Sequence, residues 1–292
     1  MAQTKHEIQA MLAGAGTSPR HRFGQNFMID QNLVRLVAEA GQISVGDVVI
    51  EVGPGTGTLT EELLRSSASR VIAVEIDRDL AKLLREKFES DPKFELIEAD
   101  ALDGKHALNR ELQSAIAATL RVARPARLIA NLPYNLASPL VIEMLLAGVQ
   151  TLAFTVQREV ADRLRAGAGS DAYGPLSVMA QMLARVEVLR TLSPQAFWPA
   201  PKIESSLVRM TRDDRLGERA RDFSRFVHAL FSSRRKTLRK ALANARDDID
   251  ISAVLNESGI DSKLRPEVLT PEQLLRLFDV SARAGRSART EA

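Results

Sequence analysis

Short unbroken apolar runs along this chain alternate with stretches whose apolar residues recur every third or fourth position. The runs at 48–52, 70–77, 94–99, 127–131 and 151–156 read as buried strands. Stretches 59–64, 80–88, 107–120, 139–146 and 158–165 carry helical spacing between and after them. So does 31–40, where Leu33, Val34, Leu36, Val37 and Ala40 share a face before Gly41 stops the helix. Strands alternating with helices predict an α/β fold, a Rossmann-like, doubly wound and mostly parallel sheet. A loop at 167–170, a helix at 176–183 and strands at 186–191 and 206–210 follow, the two strands separated by a rigid aromatic-proline loop, Phe197-Trp198-Pro199-Ala200-Pro201. Beyond Asp213 the strand signal ends, and helices near 218–231, 235–244, 250–256 and 271–279 predict a small C-terminal all-α domain. The expected division is a first domain over 1–212, a helical domain over 213–280 and a disordered tail at 281–292 rich in Ser, Ala and Arg. Within the first domain, 1–20 is an extension with a short helix, and 21–28 is an ordered loop packed over something.

Charge changes this picture in one place. The net charge is only +3, but the stretch from Asp213 onward holds 16 Lys+Arg against 13 Asp+Glu, and the rest of the chain is balanced at 24 of each. Within that stretch Arg234, Arg235, Lys236, Arg239 and Lys240 stand together with no acid among them, which suggests a polyanion partner; a solvated helix face is the plainer alternative. There is no cysteine, which excludes disulfides, thiolate metal sites and a Cys nucleophile. The polar start shows no signal-peptide pattern, and no apolar run has the length of a membrane span, so a cytoplasmic protein is expected, with no membrane contact and no metal.

The candidate chemistry lies at the strand ends. Asn131-Leu132-Pro133-Tyr134 follows the fourth strand, at the edge where open α/β sheets bind ligands. The Asn131 amide oxygen and the Pro133 carbonyl can accept from an exocyclic amine, and the Tyr134 ring can stack on a base. Taken alone, Asn and Pro also mark an ordinary turn. The first strand runs into Gly53-Pro54-Gly55-Thr56-Gly57, a turn that lets backbone approach a ligand beside a helix N-terminus. Glu75 ends the second strand 18 residues after Gly57, where a carboxylate can accept from both hydroxyls of a ribose. Asp100 closes the third strand and can accept from an adenine amine. The spacing GxGxG differs from the GxGxxG of a pyrophosphate site, which favours S-adenosylmethionine over a nicotinamide dinucleotide.

With these residues in view, the chain resembles the ribosomal RNA adenine N6-dimethyltransferase family. The resemblance rests on Gly24-Gln25-Asn26-Phe27, Glu51 to Gly57, Glu75-Ile76-Asp77, Asp100, Asn131 to Asn135, Gln157-Arg158-Glu159-Val160, Tyr173 to Val178, the loop 197–205 and Arg234 to Arg239. It runs from about 20 to 280 in order; Met28, Glu204 and Trp198 depart from the usual residues at their positions. The resemblance implies that Asn26, Met28, Gly53, Glu75, Asp100 and Asn131 bind S-adenosyl-L-methionine. It implies that Asn131, Pro133, Tyr134 and Phe197 meet the target adenine, Phe197 on the face opposite Tyr134. It further implies a substrate of two adjacent adenosines in a 3′-terminal hairpin loop of small-subunit (16S) rRNA, a role in small-subunit biogenesis, an immature 30S partner and a monomeric enzyme. The basic cluster would grip RNA backbone. Two readings from other classes are a non-catalytic RNA-binding assembly factor and an NAD-dependent oxidoreductase; the intact strand-end motifs argue against the first, and the spacing against the second. The four histidines, His6, His21, His106 and His228, fall outside the motifs, and none is assigned to catalysis.

Overall fold

The structure, a computed structural model, describes residues 3–20, 24–104 and 107–290, with backbone only for 286–290. His21 to Phe23 of the expected loop, His106 and the last two residues of the expected tail lie outside the described residues. The chain forms two compact units, Met1–Ala161 with Arg185–Arg212, and Asp162–Ala184 with Asp213–Ala292.

The first unit is built on a seven-stranded sheet. Its strands are β2 (Val48–Val52), β3 (Arg70–Glu75), β4 (Phe94–Glu98), β5 (Ala126–Asn131), β6 (Thr151–Gln157), β7 (Ala184–Leu192) and β9 (Ser205–Arg212). Their order is β4-β3-β2-β5-β6-β9-β7. The neighbours from β4 to β6 are parallel, and β9 returns antiparallel to β6. Helices α2 (Gln31–Ala40), α3 (Thr58–Arg65), α4 (Arg78–Phe88), α5 (Arg110–Arg121) and α6 (Ala137–Leu146) connect or flank these strands. β2 and β6 are buried along almost their whole length, as expected for strands covered on both faces. The chain winds outward from β2 to β4 and then returns to β5 beside β2. Crevices open at such a reversal, beyond the carboxyl ends of the strands.

Local signals start the helices. Asp30 accepts from the backbone of Asn32 and Leu33 ahead of α2, and Asp77 from that of Asp79 ahead of α4. At the opposite, amino-terminal edge of the sheet, Asp47 is buried and pairs with Arg127. Arg127 also donates to Gly41 O (3.0 Å) and Thr151 Oγ1 (2.9 Å), and Asp47 accepts from Ser44 N (2.7 Å).

One loop holds structure that was not expected. The aromatic-proline segment contains a strand: β8 (Phe197–Trp198) pairs antiparallel with β1 (Phe27–Met28), in the register Phe27↔Trp198 and Met28↔Phe197. A two-residue strand is too short to leave a period-two pattern. The extension carries its expected short helix as α1 (Lys5–Gly14), closed at its start by a reciprocal capping box between Thr4 and Glu7.

The second unit is helical, with α8 (Pro175–Leu183), α9 (Ala220–Ser232), α10 (Leu238–Ala245), α11 (Ile251–Ser258) and α12 (Pro271–Thr290); α7 (Arg158–Leu164) runs into it. Segment 162–184, expected in the first domain, thus groups with the C-terminal helices; Asp213 N donates to Leu183 O at 2.9 Å. Phe223, Phe226 and Phe278 pack ring against ring at its centre. The expected tail at 281–292 begins inside α12. Ser281 is fully buried and its hydroxyl donates to Leu277 O (2.7 Å), a contact that the low-complexity composition hides.

Asp47→Ala is expected to leave a mostly buried guanidinium without its counter-charge. Denaturant unfolding should register a loss of about 3 kcal/mol; a loss below ~1 kcal/mol would show that water serves Arg127 equally well.

Candidate active site

One crevice opens where β2, β3, β4 and β5 end. Its lining includes Asn26, Met28, Gly53, Glu75, Asp100, Asn131, Pro133 and Tyr134, so all six expected cofactor residues and three of the four expected adenine residues come together. Glycine is required at the turn after β2. Gly53 has φ +70°, and a Cβ there would sit 3.2 Å from the Pro133 ring; Gly55 has φ +62°, and its Cβ would sit 2.9 Å from the Phe27 ring. Backbone therefore borders the crevice where side chains would fill it.

The acids are held differently from one another. Glu75 is 4% exposed and accepts from Gly55 N (3.2 Å) and Asp77 N (2.9 Å). Burial raises its carboxyl to about 7, against the effect of those backbone donors. Glu51, 1% exposed on β2, accepts from Thr60 Oγ1 (2.6 Å) and is pushed up to about 8 by burial, with the charge of Glu75 adding to the rise. Asp100 is exposed, and its Oδ1 accepts from Leu102 N (3.0 Å) in a local turn. Asp100 lines the crevice, and its carboxylate has lone pairs left to accept from a ligand.

Asn131 is fixed from both ends. Its Nδ2 donates to the Asn26 carbonyl (2.6 Å), and its Oδ1 accepts from the Thr155 hydroxyl. A carbonyl can only accept, so the amide nitrogen must face Asn26 and the oxygen must face Thr155. One lone pair of Oδ1 remains. Thr155 is fully buried on β6, directly across from Asn131 in the parallel register. The Pro133 carbonyl accepts from Leu136 N (3.0 Å) and likewise keeps a second lone pair. The Tyr134 hydroxyl bonds to Ser205 Oγ (2.7 Å), leaving its ring at the crevice; burial raises the phenol above its ordinary range.

Phe197 is the exception. It is 2% exposed, packed with Met28, Leu192 and Leu207 in the core, and it does not line the crevice. Its pairing with Met28 turns the ring into the sheet-side core, so the expected second stacking face is absent from the described lining. Sequence reasoning also missed residues that matter here. Glu51 stands as the lone polar residue of β2 and Thr155 as the one polar residue between Leu152 and Val156, a signal that could have been read. The Thr58 hydroxyl, in the crevice lining at the first turn of α3, is buried with no partner among the described residues.

The lining suits a cationic, ribose-bearing ligand. Among the described residues it holds three acids, Glu51, Glu75 and Asp100, and no Lys, Arg or His. A pyrophosphate would meet carboxylates without a counter-charge, whereas a sulfonium with an adenosyl group finds acceptors, apolar walls at Phe27, Met28 and Leu80, and an unpartnered hydroxyl at Thr58. No group of His, Asp and Glu that could hold a metal ion occurs among the described residues.

The basic cluster lies in the second unit. Arg234, Arg235 and Lys236 occupy the turn between α9 and α10 instead of the helix expected from 235; Thr237 holds the N-cap position of α10 without a side-chain capping bond, and Arg239 and Lys240 stand in its first turn. All five are exposed, and among the described residues none forms an ion pair.

A doubly wound sheet with β9 inserted antiparallel, a glycine turn and acids at successive strand ends defines a methyltransferase. The family model for ribosomal RNA adenine dimethylase matches residues 16–283, and the chain belongs to that family. A Hahella chejuensis protein named ribosomal RNA small subunit methyltransferase A is 42% identical over 269 residues, covering 90% of this chain and 93% of that one. A Streptomyces coelicolor protein of the same name is 39% identical, covering 94% of each. The crystal structure of 23S rRNA methyltransferase ErmE superposes with a TM-score of 0.60 at 27% identity, covering 87% of this chain and 99% of that one. A dimethyladenosine transferase from Plasmodium falciparum shares the fold, with a TM-score of 0.68 at 20% identity, covering 89% of this chain and 98% of that one.

Glu51 sets an expected pH dependence of stability. Its carboxyl, near 8 when folded against an ordinary 4.5, is neutral in both states below the lower value. As pH rises through this window the unfolded chain ionises first, so stability falls until the folded group ionises too. Glu51→Gln should therefore flatten the decline in melting temperature between about pH 5 and 8, and gain up to ~2 kcal/mol over the parent at the upper end. Parallel pH curves for the two proteins would assign the decline to another group.

Proposed function

We propose that this enzyme uses S-adenosylmethionine to dimethylate N6 of adenosine at two adjacent positions in a 3′-terminal hairpin loop of small-subunit rRNA, as a step in small-subunit biogenesis. The observation that carries the reading is the two-ended grip on Asn131 beside an acid-lined crevice. Family membership and the name of the bacterial relatives support adenine in small-subunit rRNA as the target. The reading takes the immature 30S subunit as partner, a monomer as the active form and the cytoplasm as the location; no described helix is long and apolar enough to cross a membrane.

S-adenosylmethionine supplies, when bound, an electrophilic methyl group on a positively charged sulfur. Glu75 would accept from the ribose hydroxyls and Asp100 from the adenine amine of the cofactor, with Asn26, Met28 and Gly53 bordering the group. The target base leaves its stack and lies against Tyr134. Its N6 amine is a poor nucleophile because the lone pair is delocalised into the ring. Asn131 Oδ1 and the Pro133 carbonyl, each with one lone pair to give, accept its two N–H groups. That geometry turns the nitrogen lone pair out of the ring plane and stabilises positive charge as it develops. The surplus proton leaves to solvent, so no strong base is needed. A monomethylated amine keeps one hydrogen for one acceptor and can rotate to react again. The other acceptor then loses its partner, and the unmethylated amine is the better held of the two.

Mass spectrometry of nucleosides from unmethylated small subunits incubated with enzyme and S-adenosylmethionine should reveal N6,N6-dimethyladenosine. Asn131→Ala should abolish it while RNA affinity persists. Tyr134→Phe, which removes only the hydroxyl bond to Ser205, should cost about 1 kcal/mol in transition-state stabilisation, less than Tyr134→Ala. Methyl groups found only on cytosine, guanine or ribose oxygen would defeat the reading.

The basic turn supports a phosphate grip. Cations in the first turn of α10 oppose the helix dipole, an arrangement that a bound anion relieves. Neutralising Arg234, Arg235 and Lys236 together should weaken RNA binding and reduce the slope of log affinity against log salt by about 2–3. An unaltered slope would leave these residues as a solvated surface.

A further inference from the structure

Residues 1–15 precede the stretch matched by the family, yet the structure ties this segment to the cofactor crevice at several points. Gln3 is 7% exposed, an unusual place for an amide with no secondary structure around it. Its Nε2 donates to the Thr56 carbonyl (3.0 Å), and its Oε1 accepts from the Thr56 hydroxyl (2.6 Å). Thr56 is the central residue between Gly55 and Gly57 in the turn after β2, is 1% exposed, and borders the crevice. One side chain thus bonds both the carbonyl and the hydroxyl of the residue at the middle of the glycine turn.

The second tie is apolar. Ile8 and Leu12 of α1 are buried against Phe27 and Leu80, two walls of the crevice. The third is ionic. Beyond the helix, Arg20 donates to Asp77 (2.8 Å) and Asp79 (2.6 Å), and Asp77 N in turn donates to Glu75 Oε1 (2.9 Å). The segment 3–20 therefore grips the crevice at the glycine turn, along one wall and behind the acid at the end of β3.

We propose that this segment is a clamp that preorganises the S-adenosylmethionine site, with Gln3 a positioning residue for the glycine turn. The proposal rests on the cofactor reading above. Gln3 does not line the crevice and meets no reacting atom; it acts through Thr56. Without it, two buried polar groups lose their partners, and the turn samples conformations that the cofactor must then reorder.

Calorimetry on the full chain tests this with Gln3→Ala and Arg20→Ala, taking Glu75→Ala as the control for the site itself. Gln3→Ala should weaken S-adenosylmethionine and S-adenosylhomocysteine about 3- to 10-fold. KM for the cofactor should rise accordingly, with kcat at saturating cofactor unchanged. Hydrogen exchange of the ligand-free protein should speed up at the amides of 55–57 without a matching change elsewhere in the sheet. Arg20→Ala, whose ion pair is partly exposed, should move affinity in the same direction by a smaller factor. Unchanged affinity and exchange in Gln3→Ala, beside a loss in Glu75→Ala, overturns the clamp. Unchanged affinity in both variants overturns the cofactor reading, and the clamp with it.

Discussion

Parallel pairing sets the terms for everything at the crevice. Val52 lies opposite Val74, Glu75 opposite Glu98 and Asn131 opposite Thr155. Parallel strands in register end on the same side of the sheet, so whatever residue follows each strand is delivered to one edge. Four strands supply a glycine turn, two acids and an amide to that edge without any long-range design in the loops themselves. The price is a sheet whose interior strands must be almost wholly apolar, and two of the few polar residues that break this rule, Glu51 and Thr155, sit within reach of the site.

The two polar residues act in different ways. Thr155 has no contact with solvent and orients Asn131 through a single hydroxyl. Its donation leaves one lone pair of the amide oxygen for a substrate and settles which end of the amide points where. Glu51 instead carries a group that burial keeps protonated near neutrality, and the charge of Glu75 adds to its cost of ionising. Opposite these, at the amino-terminal edge, Asp47 and Arg127 form the polar tie that holds β2, β5 and β6 together. Chemistry occupies one end of the sheet and a structural ion pair the other.

The doubly wound core and the residues at its strand ends were legible because both depend on local pattern. A run such as Val48 to Val52 followed by Gly53 announces a strand and a turn from adjacent residues alone. Glu75, Asp100 and Asn131 could be assigned to one crevice because the topology guarantees it. What escaped depends on contacts between distant segments. The pairing of Phe27-Met28 with Phe197-Trp198 spans most of the first unit, and it carries Phe197 into the core, away from the base-stacking position that its motif suggested. The partnership of Gln3 with Thr56 has no periodic signature in either segment. The final helix was legible over 271–279, but its continuation to Thr290 was masked by a composition of Ser, Ala and Arg that resembles a tail, though Ala and Arg are also good helix formers.

The raised carboxyl of Glu75 has a consequence for how the crevice changes occupants. A buried carboxyl that titrates near neutrality divides its time between protonated and ionised forms, and a ligand whose hydroxyls it accepts from favours the ionised one. On the proposed reading, loading the crevice would therefore release part of a proton to bulk water near neutral pH, and emptying it would take that proton back.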